Sequence, residues 1–300
     1  MLSPLWYARL SQLKWRFWWN AAASRAWLRQ GERVRGEVEQ RLLNDLQRDG
    51  LAITTLDELY GDPGLFAELE AETARLAAAQ AGMIAELRGR AGEKGAAKSY
   101  LHELLGARPV FDPDSVFGRI CLAEPLLRVV DQYLGLFAEL RYFNIWLNLR
   151  TDAPPQRSQL WHRDRDDQRI VKAFLYLSDV TAGCGPLTYA PGTHSRGPIQ
   201  EEPESFKEEG HGNRRSHDEQ MAAVVPAARW RTCVAPKGTL VLADTTGYHR
   251  GGLAREADRL LFTFMFVSAT AECPTLLERK ALDPPAAIPP ARAWALGRGR

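Results

Sequence analysis

The chain has 300 residues, 45% of them hydrophobic, so it can bury a sizeable core in one elaborated domain. Lys and Arg number 39 against 37 Asp and Glu, and the net charge of +2 gives no global electrostatic reason to expect a nucleic-acid partner. No apolar run approaches the ~20 residues that span a bilayer, and the N-terminus has no signal-peptide pattern. We therefore expect a soluble, cytoplasmic protein.

Residues 1–40 form a basic, aromatic segment whose apolar residues recur at helical intervals over about the first 48 residues. Residues 1–30 contain no acidic residue and hold five of the nine tryptophans: Trp6, Trp15, Trp18, Trp19 and Trp27. A helix of this kind could lie on an anionic membrane surface. We prefer the alternative in which its rings pack on the body of the protein or cover a dimer seam. The oligomeric state does not follow from the sequence.

The middle of the chain passes from helices to strands. Helices are predicted over residues 64–90 and 120–134, the second starting or bending at Pro125, with a mobile Gly- and Lys-rich loop at 91–99 between them. Seven short strand-like runs follow, separated by Gly and Pro turns, which favours a sandwich or barrel. They are Leu140–Arg150, Gln159–Arg163, Ile170–Leu177, Leu187–Ala190, Arg229–Val234, Thr239–Ala243 and Arg259–Val267.

Two further segments are predicted to lie outside the packed framework of helices and strands. The polar stretch 195–228 is predicted to be a lid or binding loop. Residues 271–300, with Pro-Pro pairs and a Gly-Arg-Gly-Arg end, are predicted to be a loosely ordered C-terminal tail. The four cysteines are widely spaced without a C-x-x-C pair, which argues against a zinc ribbon or thiol redox motif.

The strongest chemical signal is His162-x-Asp164, because two residues that alternate in an extended segment share one face. His249 follows far downstream and supplies a second imidazole. Two histidines and one carboxylate with open coordination positions are the donor set of non-haem Fe(II) oxygenases. The alternatives are a solvated charge cluster, Asp166 as the carboxylate ligand, or another histidine in place of His249. The competing histidines are His102, His194, His211 and His217.

Together with this donor set, several motifs resemble the phytanoyl-CoA dioxygenase family of Fe(II)/2-oxoglutarate-dependent oxygenases over roughly residues 41–270. They are Trp161-His162-Arg163-Asp164, Tyr176-Leu177-Ser178-Asp179-Val180, Gly185-Pro186-Leu187, Pro191-Gly192-Thr193-His194, His249 and Arg259. The resemblance implies a mainly β fold with α elements: a cupin-like double-stranded β-helix, or jelly roll, with N-terminal helices packed on one sheet. It divides the chain into a 1–40 extension, a 41–270 dioxygenase domain and a 271–300 tail.

The resemblance also implies cofactors and residue roles. Fe(II) would bind His162, Asp164 and His249, with 2-oxoglutarate and dioxygen as cosubstrates. Arg259 would pair with the distal carboxylate of 2-oxoglutarate, for which a guanidinium fork is suited; Arg255 is the alternative. Gln159, Asn148 and Thr188 match positions that contact 2-oxoglutarate in some members.

This sequence departs from the family at two positions. Arg163 separates the first two ligands, where many relatives have Gln or Ser, and Gly251 stands where a small hydroxyl residue is common. The retained Asp164 favours hydroxylation over halogenation.

The expected function is oxygenation, most simply hydroxylation, of a small molecule. Arg163, Arg165, Arg169 and Lys172 either receive an anionic substrate or form a solvated basic edge. The alternative functions are a catalytically silent jelly-roll metal-binding or sensor protein and a peripheral membrane adaptor that uses the N-terminal helix.

Overall fold

The computed structural model describes residues 10–91, 100–207, 214–280 and 288–299 as a mixed α/β fold with two antiparallel sheets. Within those ranges no helix is long and apolar enough to cross a lipid bilayer. The start of the predicted 1–40 extension, most of the predicted 91–99 loop, part of the predicted tail and His211 lie outside the described residues.

Helices dominate the described residues up to Gly135. Helical residues 10–14 lead into a π-helical turn at Trp15–Trp19, which is followed by the helix Ala21–Gln30. The α-helices are α1 (Ala21–Gln30), α2 (Gly36–Asp49), α3 (Leu56–Tyr60), α4 (Pro63–Ala79), α5 (Ala81–Gly89), α6 (Val116–Cys121), α7 (Glu124–Leu134), α8 (Asp218–Val224) and α9 (Pro290–Ala295).

Strands make up most of the second half. They are β1 (Leu51–Thr55), β2 (Leu101–Glu103), β3 (Val110–Phe111), β4 (Glu139–Asn148), β5 (Val171–Tyr176), β6 (Leu187–Tyr189), β7 (Arg231–Thr232), β8 (Thr239–Asp244), β9 (His249–Gly251), β10 (Arg259–Val267) and β11 (Glu278–Arg279). Six of the seven predicted strand-like runs overlap an observed strand, and the exception is Gln159–Arg163.

The predicted long helices are interrupted where the sequence supplies a break. The 120–134 prediction becomes α6 and α7, and α7 begins at Glu124 because Pro125 fits its first turn, where no backbone N–H is needed. It ends at Gly135, whose φ of 77° makes it a left-handed cap. The 64–90 prediction is split at Gln80, whose side-chain amide donates to the Leu104 carbonyl at 2.8 Å. The opening helix is likewise broken between α1 and α2.

A six-stranded antiparallel sheet in the order β1-β8-β5-β10-β4-β2 separates two layers. Successive side chains of a strand point to opposite faces. Leu175, Leu242 and Phe262 therefore join α7 in the main core. Their neighbours Phe174, Val241 and Leu261 point the other way and pack toward the second sheet, β7-β6-β9. This second layer holds the candidate site.

The N-terminal segment packs on this body through two of its tryptophans. Trp15 and Trp27 are buried, whereas Trp18 is 80% exposed and Trp19 55% exposed. Trp15 Nε1 donates to Asp167 Oδ1 at 2.5 Å, which connects the segment to the loop after Asp164. The helix α2 crosses the predicted boundary between residues 40 and 41.

Two segments predicted to lie outside the framework contribute to packing. Within the 195–228 insertion, Phe206 and Met221 are buried and pack with Trp161 and Tyr248. In the C-terminal tail, Trp294 of α9 is buried, and its ring stacks at a centroid distance of 6.1 Å on Phe137. The prediction of a loosely ordered tail is therefore wrong for these described residues, because an indole that finds an apolar surface fixes the segment around it.

Candidate metal centre

The two candidate histidines are brought together by their own backbones. His162 and His249 form an isolated antiparallel bridge, with His162 N–H donating to the His249 carbonyl at 2.9 Å and the reverse bond at 3.0 Å. Paired residues of such a bridge project side by side. Their ring centroids lie 4.2 Å apart. His249 begins β9, whereas the predicted strand Gln159–Arg163 is a 3₁₀ turn at Arg157–Gln159 followed by this bridge.

The tautomer of each imidazole follows from its hydrogen bond. His162 Nδ1 lies 2.8 Å from the Leu160 carbonyl, and His249 Nδ1 lies 3.0 Å from the Gly247 carbonyl. A carbonyl oxygen can only accept, so each Nδ1 carries the proton and donates it. Each Nε2 therefore presents a lone pair, which is the form that ligates a metal.

Asp164 completes the cluster. Its backbone N–H donates to the Thr245 carbonyl at 2.8 Å, which holds it beside β9. Asp164 Oδ1 lies 3.9 Å from His162 Nε2, and Oδ2 lies 4.0 Å from His249 Nε2. One ligand atom from each of the three residues lies within 4.8 Å of the other two. Lys172 Nζ donates to Asp164 Oδ2 at 2.7 Å.

Burial and the neighbouring charges favour the metal-binding protonation states. Burial lowers the pKa of His162, and so does the neighbouring His249. Burial also lowers the pKa of His249, although the charge of Asp164 opposes this. Burial acts to raise the pKa of Asp164, but Lys172 and the two histidines hold it below its ordinary value. The site is thus held as neutral imidazoles and an ionised carboxylate at neutral pH.

The three residues line a cavity of about 300 Å³. Strand alternation builds its walls from one face of the large sheet. Strand β5 contributes Lys172, Phe174 and Tyr176. Strand β4 contributes Trp146 and Asn148, and strand β10 contributes Arg259 and Leu261. Charged and polar groups therefore lie among aromatic side chains, which is the usual composition of a small-molecule site.

Arg259 is buried at the first position of β10. Its Nη1 donates to the Gly185 carbonyl, and its Nη2 donates to Asn148 Oδ1 at 3.3 Å. Its Nε has no hydrogen-bond partner among the described residues. Arg255, the sequence-based alternative, does not line the cavity and donates instead to the Thr151 carbonyl at 2.7 Å.

Of the other three residues predicted to contact the cosubstrate, the structure places two in the cavity and one outside it. Asn148 and Gln159 both line the cavity, and Gln159 Oε1 also accepts from the Gln156 N–H at 3.0 Å. Thr188 is not a lining residue, and its hydroxyl faces Thr232 Oγ1 at 3.5 Å. The reason is alternation along β6, since its neighbour Leu187 takes the cavity-facing position.

The competing ligands lie elsewhere. Asp166 does not join the cluster. His194 is fully buried in the turn after β6, and His217 is exposed next to α8. His102 Nε2 lies 2.8 Å from Gln80 Oε1.

The basic edge predicted from Arg163, Arg165, Arg169 and Lys172 is not one patch. Arg163 donates to the Thr193 carbonyl at 2.7 Å and lies over the Tyr248 ring. Arg169 is buried and donates to the Leu134 carbonyl at 2.6 Å. Lys172 pairs with Asp164. Arg165 lines a second cavity beside the N-terminal segment.

Sequence reasoning missed three cavity residues and the role of a fourth. Tyr100, Arg157 and Arg215 line the cavity, and each comes from a loop or short turn without periodicity. Lys172 was recognised as a cation but not as the partner of Asp164. Its alternation with Phe174 and Tyr176 along the predicted strand is the signal that could have placed it on the cavity face.

Residues 148–257 match the model of the phytanoyl-CoA dioxygenase (PhyH) family. No curated protein matches the chain.

Three solved structures resemble it. EctD from S. alaskensis with bound Fe is 17% identical, with 89% of this chain and 85% of that chain covered and a TM-score of 0.52. EctD with 2-oxoglutarate and 5-hydroxyectoine is 17% identical, with 82% of this chain and 89% of that chain covered and a TM-score of 0.50. The epimerase SnoN from nogalamycin biosynthesis is 18% identical, with coverage of 78% and 84% and a TM-score of 0.47. At these identities the likeness to the EctD structures indicates the fold alone.

The matched segment contains His162, Asp164 and His249, and it ends two residues before Arg259. The resemblance found in the sequence motifs is confirmed by this match of residues 148–257 to the model of the phytanoyl-CoA dioxygenase family.

Proposed function

We propose that this protein is a non-haem Fe(II)- and 2-oxoglutarate-dependent oxygenase that hydroxylates a small molecule with dioxygen. The observation that carries the proposal is the convergence of His162 Nε2, His249 Nε2 and the Asp164 carboxylate in one cavity with a buried arginine, Arg259. The family match and the EctD structures with Fe and with 2-oxoglutarate support it.

The donor set fits iron(II). Two neutral imidazoles and a carboxylate are borderline and hard ligands on one side of the ion, and they leave positions for a cosubstrate and dioxygen. When bound, iron would supply dioxygen activation coupled to oxidative decarboxylation of 2-oxoglutarate. The carbonyls of Leu160 and Gly247 hold the two imidazoles in the ligating tautomer.

Arg259 is the proposed partner of the distal carboxylate of 2-oxoglutarate. A buried guanidinium requires compensation, and only neutral oxygen acceptors contact it among the described residues. A carboxylate would supply the opposite charge in a bidentate geometry. Asn148 and Gln159, which line the same cavity, are proposed to orient the cosubstrate. Thr188 has no part in this assignment.

We further propose that the two sheets are those of a double-stranded β-helix. The facing sheets, with the cavity on the inner face of the larger one, support this assignment. In this proposal residues 41–270 are the catalytic domain, and residues 1–40 and 271–300 flank it.

Metal binding is the first test. Protein purified without metal is expected to bind one Fe(II), and His162→Ala and His249→Ala should each lose most of that affinity. His217→Ala removes an exposed histidine and is the matched control. Calorimetry with Fe(II) under argon measures all four proteins, and equal binding by the wild type and both triad variants would refute the site.

Cosubstrate binding is the second test. Arg259→Ala should weaken 2-oxoglutarate binding by about 10- to 100-fold, the loss expected for a charge-assisted pair. Arg255→Ala, in a neighbouring arginine outside the cavity, should not change it. Succinate formation from 2-oxoglutarate in air measures turnover. Metal binding without any 2-oxoglutarate binding would instead support a catalytically silent metal-binding protein.

A further inference from the structure

The cavity contains more cationic side chains than the proposed binding of the metal and 2-oxoglutarate requires. Its lining includes four cations, Arg157, Lys172, Arg215 and Arg259, and one carboxylate, Asp164. Lys172 is paired with Asp164. In the proposed function, one carboxylate of 2-oxoglutarate would bind the metal and the other Arg259. Arg157 and Arg215 then remain without an assigned role.

Arg157 and Arg215 are held next to each other by a hydrogen bond from the Arg215 side chain to the Arg157 backbone. Arg215 Nε donates to the Arg157 carbonyl at 3.0 Å, although the two residues are 58 positions apart in the chain. Arg157 has a φ of +50°, the only non-glycine residue in the described chain with positive φ. Such a backbone costs free energy and persists where surrounding structure imposes it, often at ligand sites.

The two arginines differ in exposure, since Arg157 is exposed and Arg215 is half-buried. Burial lowers the pKa of Arg215; the charge of Asp164 and the nearby Tyr100 oppose this shift, and the charge of Arg157 adds to it. Arg157 makes no ion pair with any residue that the structure describes. Arg215 also lies close enough to the metal ligands to lower the pKa of both His162 and His249. Both arginines line the cavity that contains the three metal ligands, so an anion bound by them would lie in the same cavity as the metal.

The rest of the cavity wall is apolar and aromatic. Trp146, Phe174, Leu187 and Leu261 line it between the cationic groups. Its volume of about 300 Å³ is at the lower end of small-molecule sites, which limits the size of the part that enters.

We propose that Arg157 and Arg215 form a substrate-anchoring subsite, and that the substrate is a small amphipathic anion with a carboxylate or phosphate group on an apolar body. This proposal rests on the proposed function, since it assumes that 2-oxoglutarate occupies Arg259. Anchoring the anion at these arginines would direct the apolar body along the aromatic wall toward the metal.

Two probes and one neutral analogue test the subsite. Protein loaded with Ni(II) and 2-oxoglutarate is titrated with hexanoate, hexyl phosphate and hexanol, and binding is measured by calorimetry. One or both anions are expected to bind and hexanol to bind at least tenfold more weakly. The preferred anion distinguishes a carboxylate from a phosphate. Failure of both anions to bind, or equal binding of hexanol, would overturn the proposal.

Substitutions then locate the binding. Arg157→Gln and Arg215→Gln should each weaken binding of the preferred anion by about tenfold or more, the loss expected for a charge-assisted hydrogen bond. Arg214→Gln, in the exposed neighbour of Arg215, is the matched control and should bind as the wild type does. Anion binding that is unchanged in both variants would refute the subsite.

The two proposals fail in distinguishable ways. Arg157→Gln and Arg215→Gln should still bind both the metal and 2-oxoglutarate. If these variants lose 2-oxoglutarate instead, the arginines serve the cosubstrate and the subsite is wrong. If the wild type binds neither metal nor 2-oxoglutarate, the proposed function fails, while a titration of the metal-free protein with the same anions still tests the two arginines.

Discussion

Lys172 and Asp164 form an ion pair inside the cavity, and each side chain is only about one-sixth exposed (15% and 16%). Removing one member of a buried pair leaves the other charge uncompensated, which costs about 3–5 kcal/mol. Asp164→Ala is therefore expected to lower the free energy of unfolding of the metal-free protein by about this amount. Urea unfolding in the presence of a chelator measures the change.

A double variant separates loss of the pair from loss of packing. Asp164→Ala with Lys172→Met should be more stable than Asp164→Ala alone, because no unpaired charge remains. Glu72→Ala, which breaks the exposed pair with Arg75, should have little effect and serves as the control. If the double variant is no more stable than Asp164→Ala alone, the pair does not have this role.

His194 is fully buried, and burial lowers the pKa of its imidazole. The native protein therefore keeps it neutral, whereas the unfolded chain takes up a proton below about pH 6.5. Stability is unaffected above that pH and falls as the pH decreases through 6.5, by up to about 1.4 kcal/mol per pH unit for one such group. The loss continues until the lowered native pKa is reached.

His194→Asn removes this titration. The variant is expected to lose less stability than the wild type between pH 7.5 and 5.5, whatever its stability at pH 7.5. Urea unfolding at several pH values gives the two slopes, and parallel profiles would contradict the assignment.

At the scale of elements, the N-terminal helical segment attaches to the loop that follows Asp164. Trp15 is buried, and its indole donates to Asp167, while the guanidinium of Arg169 lies 5.0 Å from its ring centroid. Trp15→Ala is expected to cost about 3–5 kcal/mol, as for other buried tryptophans. Thermal and urea unfolding measure the loss.

Trp18 is the matched control for this prediction because it lies three residues away and is 80% exposed. Trp18→Ala should change stability by less than about 0.5 kcal/mol. Equal losses for Trp15→Ala and Trp18→Ala would show that the segment does not pack as described.

An element could be predicted where a pattern of residues adjacent in the sequence determines it, and not where contacts between distant residues do. Strands β5, β8 and β10 follow from runs of apolar residues, and the ligand set followed from residue types and spacing. The bridge between His162 and His249 could not be predicted, because it joins residues 87 positions apart through backbone hydrogen bonds. Arg157 and Arg215 were missed for the same reason, since only the folded chain makes them neighbours.

At the scale of the whole molecule, segments at both ends of the described chain pack on the same helix and its continuation. Arg16 of the N-terminal segment lies against Gly135, the cap of α7, where an added Cβ would stand 2.9 Å from its Cζ. From the C-terminal segment, α9 contacts α7, and Trp294 stacks on Phe137. The flanking segments predicted from the sequence thus share a surface of the central body.

This shared surface predicts that the C-terminal segment contributes to global stability. Trp294 and Leu296 are buried, at 6% and 4% exposure, so Trp294→Ala should lower the free energy of unfolding by about 3–5 kcal/mol. Deleting residues 288–300 should cost at least as much and expose Phe137. Arg298→Ala, in an exposed residue of the same segment, is the control and should be neutral. Urea unfolding followed by tryptophan fluorescence measures all three, and a truncated protein as stable as the full chain would contradict the packing of this segment.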